Sequence, residues 1–191
     1  MKGNTRSFAA RKRLVHARRM LPKSLQRFSR HHRGSAAVEF ALVALPFMAL
    51  MFAIIQTAIV FFATQVLETA VSDSARLILT GQAQNGGYSQ SSFKSAVCAR
   101  ISGLFNCSTG LYVDVRTFSN FSTISMNSPT DASGNVIDNF VYQPGGPGDI
   151  VVVRLLYKWP ITMQLWNPKI VNMAGNQRLL VTTAAFRNEP Y

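Results

Sequence analysis

Residues 40–67, FALVALPFMALMFAIIQTAIVFFATQVL, form an apolar run of 28 residues that carries no formal charge. About 20 apolar residues in a helix span a bilayer, so this run is long enough to cross one with a turn or two to spare. It is also too long for the apolar core of a cleaved secretory signal. We therefore expect a single membrane span at about residues 40–67, with a kink at Pro46 of the kind that membrane helices tolerate.

The charge distribution predicts the orientation of that span. Residues 1–33 hold 11 of the 20 Lys and Arg residues, all three His, and no carboxylate. From residue 34 onward there are nine basic and eight acidic residues, so the net charge of +12 comes almost entirely from the N-terminal segment. Such a segment keeps an N-terminus in the cytoplasm and attracts anionic lipid. A nucleic-acid-binding arm is the alternative, but membrane attachment explains the same charges, and we expect no nucleic-acid partner.

The junction between the basic segment and the apolar run reads GSAAVEF, from Gly34 to Phe40. Glu39 introduces a charge at the start of the apolar helix. A carboxylate that enters hydrocarbon is costly, so such a residue usually marks a function. If the chain were cut after Gly34, Ser35 would carry a new α-amino group and Glu39 would lie one helical turn further on. Two groups of opposite charge would then meet at a helix N-terminus.

Gly34, Glu39 and Phe40 resemble the processing site of class IV prepilins, specifically of the Flp (Tad) branch. The resemblance implies that a membrane prepilin peptidase cuts between Gly34 and Ser35. It also implies that Glu39 and Phe40 belong to the processing and assembly motif of a minor pilin or pilus-assembly factor. Pilus biogenesis and adhesion are the functions expected of such a protein.

Longer stretches extend the resemblance to the TadE-like family of pilin-like proteins. Residues 34–46 (GSAAVEFALVALP) and 65–84 (QVLETAVSDSARLILTGQAQ) are similar to the N-terminal part of that family. Residues 157–161 (YKWPI) and 186–190 (FRNEP) are similar to its C-terminal blocks. The resemblance implies a bacterial inner-membrane protein whose C-terminal part lies in the periplasm.

The expected domain plan has three parts. Residues 1–34 form a basic cytoplasmic leader, residues 35–80 a long pilin-like helix that includes the span, and residues 81–191 a periplasmic α+β domain. The expected partners are the prepilin peptidase, other pilin-like subunits, Tad pilus-assembly proteins and the lipid bilayer. We expect no cofactor and no small-molecule substrate.

The long helix is expected to run to about Leu79, where Thr80-Gly81 ends it. Near its end, polar residues at intervals of three and four predict a solvated stripe: Gln65, Glu68, Ser72 and Arg76. Residues 82–92 predict a loop, and Ser91 or Ser92 is a candidate cap for a short helix. In that helix, apolar residues at four-residue spacing predict a core face: Phe93, Val97, Ile101 and Phe105.

The remaining sequence predicts a small antiparallel sheet of three or four strands beside the long helix. Residues 111–118 alternate between apolar and polar side chains, as expected for a half-buried strand with Asp114 and Arg116 on its polar face. Residues 150–157 and 179–186 are rich in β-branched residues, although Ala184 and Ala185 also allow a helix in the second. Residues 121–126 predict a short edge strand.

Cys98 and Cys107 are the only cysteines of the chain. An even number of cysteines in an oxidising compartment favours a disulfide, which would pin the short helix to the start of the first strand. Two thiols do not complete a metal site, and all three His lie in the leader, so we expect no metal.

Aromatic residues gather near the end of the second strand. Tyr157, Trp159 and Trp166 lie with Lys169 around two prolines, Pro160 and Pro168. Tyrosine and tryptophan favour the membrane interface, so this segment is a candidate for contact with the bilayer surface. Packing of these rings against each other in a loop is the alternative.

The sequence offers no support for catalysis, and we expect no enzyme. Beyond the leader there is no His, the commonest general base. The prolines in residues 143–149 (QPGGPGD) remove amides that a phosphate-binding loop would need. An uncleaved membrane-anchored scaffold that retains residues 1–34 is the alternative function, and a type II secretion pseudopilin is a third.

Overall fold

A computed structural model describes residues 32–101, 103–161 and 171–191, with side chains described from Ala36 onward. The chain divides into two compact units, Met1–Ala49 and Leu50–Tyr191. Helix α1 comprises His32–Leu79, with Pro46 inside it, and contributes residues to both units. Its beginning lies three residues before the predicted Ser35. Within the described residues, Ala36–Leu79 is the one helix that is long and apolar enough to cross a membrane.

The described part of the first unit presents apolar side chains all round. Between Ala36 and Ala49, large apolar side chains such as Phe40 and Leu45 expose more than two thirds of their surface. A helix that is apolar on every side is typical of a membrane span. This part of α1 therefore has the surface that the sequence predicts.

In the second unit, α1 acquires a single buried face. The buried positions recur every three or four residues, which is the period of one helix face. They are Val60, Ala63, Leu67, Ala70, Val71, Ser74, Ala75 and Ile78. Many of these side chains are small, so the helix backbone can lie close to the structure that it packs against.

Gly81 ends α1, as predicted. Its φ of 73° lies in the left-handed region that glycine adopts without strain. Its N–H donates to the carbonyl of Ile78, and a Cβ at this position would overlap the ring of Tyr191. Near the same point, the N–H of Glu189 donates to the carbonyl of Leu79 over 2.9 Å, which joins the end of the chain to the end of α1.

The segment after α1 is more helical than predicted. Helix α2 (Gln82–Asn85) and the start of helix α3 (Gln90–Ile101) lie in the stretch for which a loop was expected. The predicted caps are also wrong in part, because Ser89 precedes α3. The N–H of Ser92 donates to Ser89 Oγ, and the N–H of Ser89 donates to Ser92 Oγ. This reciprocal pair resembles a capping box.

The predicted core face of α3 is confirmed for Phe93, Val97 and Ile101, whereas Phe105 is buried but lies beyond the end of the helix. Phe93 and Val97 are fully buried, and Ile101 and Phe105 are nearly so. A short helix, α4 (Cys107–Gly110), then leads directly into the sheet.

Three antiparallel strands form the sheet, so the α+β fold is confirmed. They are β1 (Leu111–Phe118), β2 (Ile150–Pro160) and β3 (Gln177–Arg187), in the order β1-β2-β3. Leu111 lies opposite Tyr157, and Ile150 lies opposite Arg187. One face of the sheet joins α1 and α3 in the main core.

The short edge strand expected at residues 121–126 is wrong. A 3₁₀-helix occupies Phe121–Thr123 instead. The Oδ1 atom of Asn120 accepts hydrogen bonds from the Thr123 N–H and the Ser122 hydroxyl. Local bonds of this kind compete with the hydrogen bonds of a β-ladder, which explains the turn.

Candidate functional site

The junction motif lies within the first turns of α1. Gly34 and Ser35 have helical backbone, and Glu39 follows Ser35 by four residues. Residues four apart in a helix lie on the same face, about 6 Å apart along the axis. Glu39 and Phe40 are exposed on the helix surface, Phe40 by 74%. The predicted processing residues, Gly34 and Ser35, therefore lie in the first turn of α1. The predicted assembly residues, Glu39 and Phe40, lie about one turn further along the helix.

The surface of α1 changes character inside the second unit. Phe61 and Phe62 expose 69% and 61% of their surface, whereas Ala63 and Leu67 are fully buried. Large exposed apolar side chains on α1 end at Phe62. The predicted span of residues 40–67 thus shares its last turns with the domain core.

The polar stripe beyond that point faces solvent. Gln65, Glu68, Ser72 and Arg76 are all exposed, and Gln65 Nε2 donates to Glu68 Oε2 over 2.8 Å. The prediction of a solvated face is therefore confirmed. A surface pair of this kind contributes little to stability.

A buried charge cluster lies on the second face of the sheet, where the sequence predicted a polar, half-buried surface. Asp114 is completely buried and Arg154 is 6% exposed. Arg154 Nη2 donates to Asp114 Oδ2 over 2.9 Å, and Arg116 Nε donates to both carboxylate oxygens at 3.0 and 3.1 Å. The polar face of β1 is half-buried at Tyr112 and Arg116, as expected, but Asp114 between them is fully buried because the segment between β1 and β2 covers it.

The same cluster holds that covering segment in place. Asp114 Oδ1 accepts from the Val141 N–H, Arg154 donates to the Asn127 carbonyl, and Arg116 donates to the Asn139 carbonyl. These contacts join the early and the late part of the segment between β1 and β2 (residues 119–149) to the sheet; we call this segment the excursion. The signal in the sequence was Arg154, a single cation inside the apolar stretch IVVVRLLY.

The structure joins Cys98 and Cys107 in a disulfide, with their Cα atoms 5.9 Å apart. Both cysteines are half-buried against the main core, and they link the last turn of α3 to the start of α4. The bond thus pins the short helix next to the first strand, as the sequence predicted.

An aromatic group packs against the disulfide loop. The ring of Phe105 meets that of Tyr157 edge-on at 4.6 Å and lies 5.8 Å from that of Trp159. The Asn106 N–H donates to Tyr157 Oη over 2.9 Å. Tyr157 and Trp159 belong to strand β2 rather than to a loop, whereas Trp166, Pro168 and Lys169 lie outside the described residues.

Residues 143–149 form an irregular loop that closes the other end of the sheet. Gln84 Nε2 donates to the carbonyl of Pro144, and Asn188 Nδ2 donates to those of Pro144 and Gly146. The loop carbonyls are therefore used to fix α2 and the end of β3. This arrangement serves the structure of the domain.

Tyr142 is the titratable group with the largest shift among the described residues. Its ring lies 5.5 Å from that of Phe93, and burial raises the pKa of its hydroxyl to about 12, with Tyr88 adding to the effect. The phenol is thus neutral at physiological pH.

Within residues 32–101, 103–161 and 171–191, no group of three or more metal-binding side chains comes together.

Comparison with known proteins identifies the segment that contains the junction. Residues 34–76 match the family model described as TadE-like protein. The resemblance found in this part of the sequence is therefore confirmed, and the match covers most of α1. No curated protein and no solved structure matches the chain.

Removal of the Asp114 carboxylate should destabilise the domain strongly. Asp114→Ala leaves Arg154 and Arg116 without their shared anion, and loss of one partner from a buried ion pair costs about 3–5 kcal/mol. Asp138→Ala is the matched control because Asp138 is exposed, and a change of about 0.5 kcal/mol or less is expected there. Denaturant unfolding of the full chain in detergent would measure both, and equal losses would contradict the role assigned to the cluster.

Loss of the disulfide should weaken the domain moderately. Replacement of both cysteines by serine frees a loop with a sequence separation of nine residues. The expected loss in the free energy of unfolding is about 2–3 kcal/mol, since a short loop restricts the unfolded chain only modestly. Mass analysis of the natural chain after thiol alkylation, with and without reductant, would show first whether the bond forms, and alkylation without reductant would exclude it.

Proposed function

From the TadE-like segment at residues 34–76, we propose that the chain is a minor pilin or pilus-assembly factor of a Flp (Tad) type pilus. The family is structural and relates the chain to Tad pili. The match to α1 is the single observation that carries the proposal. An apolar helix long enough to cross a membrane fits a single-pass membrane protein.

In the proposed mechanism, a prepilin peptidase cuts between Gly34 and Ser35 and removes the basic leader. Residues 35–80 then act as the pilin helix, and residues 81–191 act as the periplasmic domain. The N-terminus of the precursor lies in the cytoplasm, since its 11 basic residues disfavour translocation. The exposed apolar surface of α1 would be available to the helices of other pilin-like subunits.

Glu39 has a specific task in this mechanism. An α-amino group ordinarily titrates at about pH 8, so the new amino group of Ser35 is mostly charged at neutral pH. Glu39 of one subunit pairs with the Ser35 amino group of a neighbour as the helices bundle. A buried carboxylate without a cation is strongly unfavourable, so the pair selects the register of the bundle more than it adds stability. Other Tad pilus-assembly proteins would meet the outer domain, and adhesion would follow from the assembled pilus.

N-terminal sequencing and intact mass should show a chain that starts at Ser35. The measurement uses protein extracted from membranes of cells with and without the prepilin peptidase. Because the peptidase removes the leader, the precursor should persist only in the cells that lack it. A chain that starts at Met1 in both strains would instead support the uncleaved membrane-anchored scaffold. If the chain is cleaved, a role as a type II secretion pseudopilin still competes with the proposal. Detection of the subunit in purified pili would exclude that role.

Glu39→Ala should reduce assembly more than processing. The variant keeps Gly34 and Ser35, so the peptidase should still cut part of the protein, while the register-setting pair is lost. Glu68→Ala is a matched control, because Glu68 lies on the solvated stripe of the same helix. Immunoblots of leader removal and counts of pili by electron microscopy would separate the two effects. Normal piliation with Glu39→Ala would refute this mechanism.

A further inference from the structure

The sheet of the second unit has a defined direction along α1. The bond from the Glu189 N–H to the Leu79 carbonyl places the end of β3 at the C-terminal end of α1. Ile150, the first residue of β2, pairs with Arg187 and therefore lies at the same end. Because β2 runs away from this point, its last residues, Trp159 and Pro160, lie at the opposite end of the sheet.

The lengths of the two elements show which part of α1 lies beside that opposite end. The buried face of α1 extends from Val60 to Ile78, or about 27 Å at the helical rise. Strand β2 extends about 33 Å at the rise of a β-strand. The two elements share one end and one core, which includes Val60 and Ala63 as well as Tyr157. Laid side by side from that shared end, their lengths put the Trp159 end of the sheet near the turns of α1 at which Phe61 and Phe62 are exposed.

We name a set of described apolar and aromatic residues at this end the Trp159 rim: Leu104, Trp159 and Pro160. Leu104 is 38% exposed, Pro160 is exposed, and Trp159 is half-buried with its ring 5.8 Å from that of Phe105. The disulfide and the Asn106–Tyr157 hydrogen bond hold the chain that carries Leu104. The rim is therefore a fixed surface that presents apolar and aromatic groups at the end of the sheet away from Leu79.

We propose that the Trp159 rim rests in the interfacial layer of the bilayer that α1 crosses. Tryptophan has its preferred position in that layer, and the exposed apolar side chains of α1 up to Phe62 are the part of the helix that suits lipid. Both signs of charge occur here: Lys158 lies near the end of β2 and Arg178 near the start of β3, while Asp131 lies in a turn that contacts the residues just before β3. The partner is the lipid surface itself, and the consequence is a fixed height of the domain above the membrane. The inference depends on the membrane anchor of the proposed function.

Quenching of tryptophan fluorescence by lipids brominated near the headgroup tests this inference. The full chain is placed in vesicles of phosphatidylcholine and phosphatidylglycerol, and Trp166→Phe leaves Trp159 as the single indole. In a Trp159→Phe/Trp166→Phe background, Leu104→Trp reports on the rim from a second, exposed position. Tyr88→Trp in the same background reports on the far end of the domain, where Tyr88 follows α2.

Quenching at positions 159 and 104 should exceed that at position 88 by at least about twofold, since only the rim lies within the interface. Equally weak quenching at all three positions, with the protein floating with the vesicles, overturns the inference and leaves the anchor intact. Equally strong quenching also overturns it, because the domain would then lie on its side. Failure of the chain to float with the vesicles overturns the anchor as well as the rim.

Discussion

Packing of the buried face of α1 in the same core as the three-stranded sheet organises the second unit. Several of the buried positions on this face are small: Ala63, Ala70, Ser74 and Ala75. Larger side chains from the sheet and α3 then fill the space, among them Phe93 and Leu155, both fully buried. Burial of such side chains contributes about 1.5–3 kcal/mol each, so this interface supplies much of the stability of the unit.

The same contact gives α1 its two surfaces. Where the sheet packs on the helix, one face is buried and the others carry polar groups such as Glu68 and Arg76. Where the sheet ends, the helix exposes large apolar side chains up to Phe62. Because water disfavours that apolar surface, lipid or neighbouring apolar helices are the environments that suit it. The proposed pilin mechanism uses both environments in turn, first in the membrane and then in a filament.

The second face of the sheet depends on a different interaction. A charged cluster around Asp114 fastens the excursion between β1 and β2, and the excursion in turn removes Leu156 and Val152 from solvent. A buried ion cluster is not in itself an efficient source of stability, since desolvation of its charges offsets much of the attraction. Its directional hydrogen bonds instead specify one position for a long segment that has little regular structure.

Local pattern in the sequence was enough to predict several features of this protein. The apolar length of residues 40–67, the end of α1 at Gly81 and the three strands follow from hydropathy, periodicity or backbone preference. The partner of Cys98 also followed, because the chain has one other cysteine. The TadE-like match then confirmed the resemblance of residues 34–76.

Which surfaces are covered, in contrast, became known only from the packed chain. Alternation in β1 predicted a polar, half-buried face, but Asp114 on that face is covered through Val141, 27 positions further along, and Arg116 is bonded to Asn139, 23 positions further along. No local pattern records such contacts. The position of Trp159 at the end of the sheet away from Leu79 likewise depends on the pairing of β2 with β3 and on one hydrogen bond at Leu79. Periodicity shows that a strand has two faces, whereas the long-range packing of the chain determines what each face meets.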